Sequence, residues 1–143
     1  MSASEPLGHL LSRICQLTHA RMHMLAGQTG LHRGQTLALK VLSAQDGQTH
    51  AELAGRLCVR PPTVTNMIHR LEKAGLVERR PDPSDQRLSR VYLTESGIGV
   101  QAQVKKVWAD FETLVFAGLD ESEKNQLKRI FEKIEYNLGI KEE

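Results

Sequence analysis

Between Pro61 and Thr94 the spacing of apolar residues changes period, and that change constrains the fold more than any other feature of the chain. Val64, Met67, Ile68 and Leu71 recur at the spacing of one helical face, whereas Val91 and Leu93 alternate with Arg90 and Tyr92 as in a half-buried strand. Gly75 stops the helix between them. The segment Leu76 to Arg80 then reads as a strand, and Pro81, Asp82, Pro83, Asp85 and Arg87 form a polar tip before the return strand Arg90 to Leu93. A helix followed at once by a hairpin with a long polar loop is the expectation.

Upstream, Thr49-His50-Ala51-Glu52 fits a capping box, in which hydroxyl and carboxylate each satisfy an amide left over at a helix start. Leu53, Ala54 and Leu57 give that helix an inner face, and it ends near Cys58. Pro61 suits the first turn of the next helix, where its missing N–H is no loss. Two short helices joined by a tight turn make a helix-turn-helix. The outward face of the second carries Pro62, Asn66, His69 and Lys73, flanked by Thr63, Thr65 and Arg70.

The remaining segments are helical. Leu7, Leu10, Leu11, Ile14, Leu17, Met24 and Leu25 predict a long amphipathic helix over residues 5 to about 27, broken by Gly27 and Gly30. Leu37, Leu39, Val41 and Leu42 predict a shorter one ending before Asp46-Gly47. Thr94 is expected to cap a single long helix through Val100, Val104, Val107, Trp108, Phe111 and Leu114, weakened in its first turns by Gly97 and Gly99. Asp120-Glu121-Ser122-Glu123 opens a last helix through Leu127, Ile130, Phe131, Ile134 and Leu138. The fold class is mainly α with a small β-hairpin wing (α+β): a winged helix-turn-helix.

A chain of 143 residues fits one domain and needs no disulfide to fold. Cys15 and Cys58 show no paired spacing, no apolar run approaches the ~20 residues of a membrane span, and the start of the chain lacks a leader pattern. A cytoplasmic location is expected. Net charge is only +2, but residues 49–94 hold eight Lys/Arg against five Asp/Glu, while residues 95–143 hold seven against ten. The basic excess falls on the helix-turn-helix and hairpin.

These features point to double-stranded DNA. A major groove about 12 Å wide admits one helix. Asn66 suits adenine, Arg70 guanine or phosphate, and Arg60, Pro62, Thr63, Thr65, His69 and Lys73 fall on or beside the same surface. The start of that helix is also expected to favour an anion. On the hairpin, Arg87 is placed for a narrow minor groove, with Asp85 to hold its guanidinium and Arg90 behind it. A winged-helix module that binds protein has the same architecture, but would more naturally expose apolar residues on these faces. Catalysis is not expected: no Gly-rich phosphate loop, Gly-x-Ser-x-Gly or His-Glu-x-x-His occurs.

The chain shares a further set of residues with a known family. They are Glu52-Leu53-Ala54, Thr63-Val64-Thr65 through Ile68, Leu71-Glu72-Lys73-Ala74-Gly75-Leu76-Val77-Glu78-Arg79, Asp82-Pro83, Asp85-x-Arg87 and Leu93-Thr94-x-x-Gly97. On these, over nearly its whole length, the sequence resembles the MarR family of bacterial transcription regulators. The resemblance implies one domain over residues 1–143, with a DNA-binding lobe at 34–94 and a helical dimerisation region at 1–33 and 95–143. It further implies a homodimer on a pseudo-palindromic operator, repression of nearby genes, and release by a small-molecule effector or an oxidant. The apolar stripes of the outer helices independently favour a dimer. No cofactor is expected.

For sensing, the resemblance implies a pocket beside the first, second and fifth helices, for which Arg21, Met22, His19, His23 and Trp108 are candidates. Cys15, at the edge of the first helix's apolar stripe, is a candidate redox switch, and Cys58 is expected to be packed. His19 and His23 share one helical face at metal-ligand spacing, with His9 or His32 as a third ligand. An organic effector is the default.

Overall fold

The computed structural model describes residues 5–139; the ends of the single domain expected over residues 1–143 lie outside that range. The chain falls into two compact units, Met1–Phe111 and Glu112–Glu143. The first contains α1 (Leu7–Gly27), α2 (Arg33–Ala44), β1 (Gln48–Thr49), α3 (His50–Leu57), α4 (Pro61–Lys73), β2 (Val77–Pro81), β3 (Ser89–Leu93), α5 (Glu95–Gly99) and most of α6 (Gln101–Val115). The second holds the end of α6 and α7 (Glu121–Asn137).

The core of the first unit joins Leu39 and Leu42 of α2, Leu53 of α3, Val64, Ile68 and Leu71 of α4, Val77 of β2, Val91 of β3 and Val104 of α6. The predicted capping box opens α3: Thr49 Oγ1 accepts from the Glu52 amide, and Glu52 Oε2 accepts from the Thr49 amide, each at 3.2 Å. β1, which local sequence did not announce, pairs antiparallel with β3, so the sheet runs β1-β3-β2. In the hairpin Val77 lies opposite Leu93 and Pro81 opposite Ser89.

The helix expected to run unbroken from Thr94 is two helices, with Val100 between α5 and α6. A tight joint lies within α5 at Gly97, where a Cβ would lie 2.0 Å from the Leu76 carbonyl oxygen. Thr94 locks the same joint: its hydroxyl donates to the Gly75 carbonyl at 2.6 Å and accepts from the Gly97 amide at 3.1 Å, while its own amide donates to the Leu76 carbonyl at 3.1 Å. The Leu93-Thr94-x-x-Gly97 pattern is therefore the clasp between the hairpin and the helix that follows.

The hairpin has a second anchor at Asp82, buried at 3% exposure. Its Oδ1 accepts from the Ser84 amide, the Ser84 hydroxyl and the Asp85 amide, and its Oδ2 accepts from Arg90 Nε at 2.5 Å. Ser84 and then Arg90 hold this carboxyl far below the usual carboxylate range.

Apolar stripes on the outer helices stay uncovered. In α1 only Met22 and Ala26 are buried, with Leu7, Leu11, Ile14 and Leu17 exposed; α7 buries no residue and exposes Ile130 and Phe131. Among the described residues no helix is long and apolar enough to cross a membrane.

Both anchors can be tested by substitution. Gly97→Ala should destabilise the fold by about 1–3 kcal/mol or more, because the oxygen it meets is backbone and cannot rotate away. Gly99→Ala, with nothing within 4 Å of the added methyl, should be neutral or stabilising by up to about 1 kcal/mol; urea unfolding of both variants checks the contrast. Because the Asp82 pKa is depressed in the fold, its stabilisation is complete at neutral pH. It erodes only as pH falls below about 3.9, where an unfolded carboxyl titrates, and is gone below the depressed value. Asp82→Asn should open the hairpin already at neutral pH, seen as loss of amide-exchange protection at Ser84 and Asp85, and should remove that acid step.

Candidate nucleic-acid interface and cavity

Burial on one side fixes how α4 is rotated. Val64 and Leu71 are fully buried and Ile68 nearly so, which leaves Pro62, Thr63, Thr65, Asn66, His69, Arg70 and Lys73 exposed together on the remaining face, with exposed Arg60 at the N-cap. The Thr65 hydroxyl is partly committed, donating to the Pro61 carbonyl at 3.1 Å. Asn66 and Arg70 are four apart, and therefore one above the other on the helix.

The start of α4 does not offer the anion site expected of it. Pro61 and Pro62 occupy the first two positions and supply no N–H, and the Thr63 and Val64 amides already donate to the Arg60 carbonyl at 3.0 and 3.2 Å. Cation side chains, not backbone amides, are what this end presents. Just before it, Cys58 ends α3 in the left-handed region, φ 53°, and is exposed where packing was expected.

At the tip of the hairpin, the Arg87 side chain is 90% exposed, and both oxygens of Asp85 accept from its guanidinium, at 3.0 Å from Nε and 3.2 Å from Nη2. The same pair lowers the Asp85 pKa. Two bonds in one plane hold the fork in a single orientation, leaving Nη1 and the outer edge to meet a ligand. Arg90, expected beside it on the DNA, is committed elsewhere. Its Nε binds Asp82 and its Nη1 donates to the Gly47 carbonyl at 2.8 Å, tying the base of the hairpin loop to the residues before β1. Further back, Arg79 forms a two-point pair with Glu72 of α4, and Arg80 pairs with Glu78 while lying 4.4 Å above the Tyr92 ring. Sequence reading missed Asp82 as the organiser; the signal was Asp82-x-Ser84, a side chain able to accept from the amide two residues on.

A separate cavity of about 300 Å³ lies between α1, α2 and α6. Cys15, Thr18, His19 and Met22 reach it from α1, Arg33 and Leu37 from α2, and Trp108 and Phe111 from α6. Of the predicted pocket residues, His19, Met22 and Trp108 are thus brought together, beside the redox candidate Cys15, while Arg21 and His23 are exposed and line no part of it. Among the described residues no three His, Cys, Asp or Glu side chains converge as a metal site would need. Arg33 and Phe111 were missed, since nothing local marks them. Trp108 stacks edge-on against Phe111, with centroids 5.9 Å apart, and carries the Lys40 ammonium 3.7 Å above its ring.

Comparison with known proteins agrees with this geometry. A sequence model of the MarR family matches residues 31–89, from the start of α2 to β3. The HTH-type transcriptional repressor Rv2887 of Mycobacterium tuberculosis is 29% identical over 129 residues, covering 90% of this chain and 93% of that protein. A mutant MarR from E. coli in complex with operator DNA superposes with a TM-score of 0.82 at 26% identity, covering 90% of this chain and 93% of the other. BpsR of Bordetella bronchiseptica, whose DNA binding is regulated by 6-hydroxynicotinic acid, superposes with a TM-score of 0.84 at 25% identity, covering 94% and 96%. With its α4 face, its clasped hairpin and these relatives, the chain carries a region that matches the MarR family over residues 31–89 and is a DNA-binding transcription regulator, not an enzyme.

Proposed function

We propose that this regulator is a cytoplasmic repressor that binds an inverted-repeat operator as a homodimer and is released when a small molecule occupies the α1/α2/α6 cavity. The observation that carries the reading is the pairing of a one-sidedly buried α4, with Asn66 and Arg70 outward, and a hairpin whose exposed Arg87 is held by Asp85. In this reading residues 34–94 form the DNA-binding lobe and the flanking helices form the dimer. Asn66 and Arg70 face base edges in the major groove, Arg60, Thr63, Thr65, His69 and Lys73 face phosphates, and Arg87 enters the neighbouring minor groove. The uncovered leucines of α1 and the apolar residues of α7 supply the surface on which two copies meet.

Two-fold symmetry sets the spacing of the α4 helices at about 34–36 Å, one turn of duplex. An effector weakens operator binding only by the difference in its affinity for competent and incompetent dimers. The cavity supports that role because α2 and α6 both form part of it and both enter the core that seats α4.

Arg87→Ala should weaken operator binding and lower the log–log salt slope by about 0.9 if one phosphate-neutralising cation is lost; an unchanged affinity and slope would show the hairpin is not engaged. Asn66→Ala or Arg70→Ala should relax base preference by about 1–3 kcal/mol, measured on cognate against scrambled duplex, whereas equal loss on both would assign these side chains to phosphates. Light scattering at micromolar concentration should give twice the chain mass, and a monomer would count against the dimer.

A further inference from the structure

Between Val77 and Val91 every residue of the hairpin is charged, polar or proline except Leu88, and that side chain is 46% exposed beside Arg87. A single exposed leucine is ordinary on a protein surface, but its place here is not. Among the described residues the other exposed large hydrophobics, Ile98 excepted, lie on α1, α6 or α7 or at the end of α7. Leu88 stands apart from those helical stripes, on the tip of the hairpin.

Its backbone is fixed on both sides. The Leu88 amide donates to the Asp85 carbonyl at 3.0 Å, the Leu88 carbonyl accepts from the Asp82 amide at 2.9 Å, and the preceding Arg87 amide donates to Asp85 Oδ1 at 3.1 Å. Arg87 and Leu88 therefore leave one pinned turn as neighbouring side chains, a cation held by Asp85 and a branched aliphatic group.

Resting on the reading above that Arg87 enters a minor groove, we infer that Leu88 is a second DNA-contacting residue of the tip, burying its exposed half against the deoxyribose wall of that groove while the Arg87 guanidinium lies along the floor. The walls are lined by sugar C–H groups, apolar whatever the base sequence, and a groove about 6 Å wide brings a wall within reach of a side chain that flanks one on the floor. Magnitude decides between packing on the wall and wedging into the stack. Burying about half of a leucine strengthens binding about 3- to 12-fold, which is less than prising a base step apart costs. Leu88 packs and the stack stays closed.

The contact reads groove width. In a narrow A-tract the wall closes on Leu88; over flexible TA steps it stands away. An apolar contact also releases no counterions, so it adds affinity without adding salt dependence.

Duplexes recovered by the native chain from a random-sequence pool supply the probe. Leu88→Ser should weaken binding about 3- to 12-fold with the log–log salt slope unchanged, where Arg87→Ala loses about 0.9 of slope, and Leu88→Met should recover most of the loss. Replacing an A-tract at the hairpin's position by an alternating TA run of the same composition should cost the native chain several-fold more affinity than it costs Leu88→Ser. Hydroxyl-radical cleavage, which attacks sugar hydrogens, should find sugars beside the Arg87 position protected by the native chain and cut in Leu88→Ser. Native affinity in Leu88→Ser overturns the contact; so does a slope that falls with the affinity, because Leu88 would then act only by holding Arg87. The native footprint needs no variant, and open sugars beside the Arg87 position likewise overturn it. Failure to recover any duplex would sink the regulator reading, whereas binding that responds to Arg87→Ala and not to Leu88→Ser sinks the leucine contact alone.

Discussion

Burying Val64, Ile68 and Leu71 in the same core as Leu39, Leu53 and Val91 leaves α4 no freedom to rotate about its axis. A helix turned by even one residue, about 100°, would bring Asn66 or Arg70 inward and expose a core leucine. Each fully buried aliphatic side chain contributes about 1.5–3 kcal/mol relative to exposure. The outward chemistry of α4 is thus decided by its inward residues, and the side chains it presents are those left over once the core is satisfied.

The hairpin depends on a different physics. Beyond Val77 and Val91, which enter the core, it is held by ionic and polar links: Asp82 with Ser84 and Arg90 at the base of its loop, Thr94 and Gly97 at its exit. Its four arginines each meet a carboxylate, Arg79 with Glu72, Arg80 with Glu78, Arg87 with Asp85 and Arg90 with Asp82. The basic excess over residues 49–94 is therefore less available to phosphates than a simple count suggests. Among the described residues, Arg60, Arg70 and Lys73 form no ion pair and carry most of what remains. Only Arg87 combines a partner with near-complete exposure, which suits it to orientation more than to long-range attraction.

Features written locally were legible in the sequence. The Thr49 capping box, the inner face of α4, the stop at Gly75 and the polar tip each depend on residues within a turn or two of one another. What the sequence concealed depends on distant partners. β1 exists because Gln48 pairs with Val91, and Arg90 is tied back by the Gly47 carbonyl, 43 residues away along the chain. The close approach of Gly97 to the Leu76 oxygen is likewise a contact that no propensity scale contains. Of the cavity, the α1 and α6 residues followed from helical stripes and family resemblance, but Arg33 is one more charged residue at a helix start until α2 is packed.

The sheet order also bears on how copies of the chain avoid one another. β2 lies at the end of the β1-β3-β2 sheet, and a strand with a free edge invites pairing with a strand from another molecule. This one presents Glu78, Arg79 and Arg80 in succession and finishes on Pro81, which has no N–H to offer. Charge and a missing donor together act as a guard against edge-to-edge growth into fibrils, and any association of copies is left to the apolar faces of the helices.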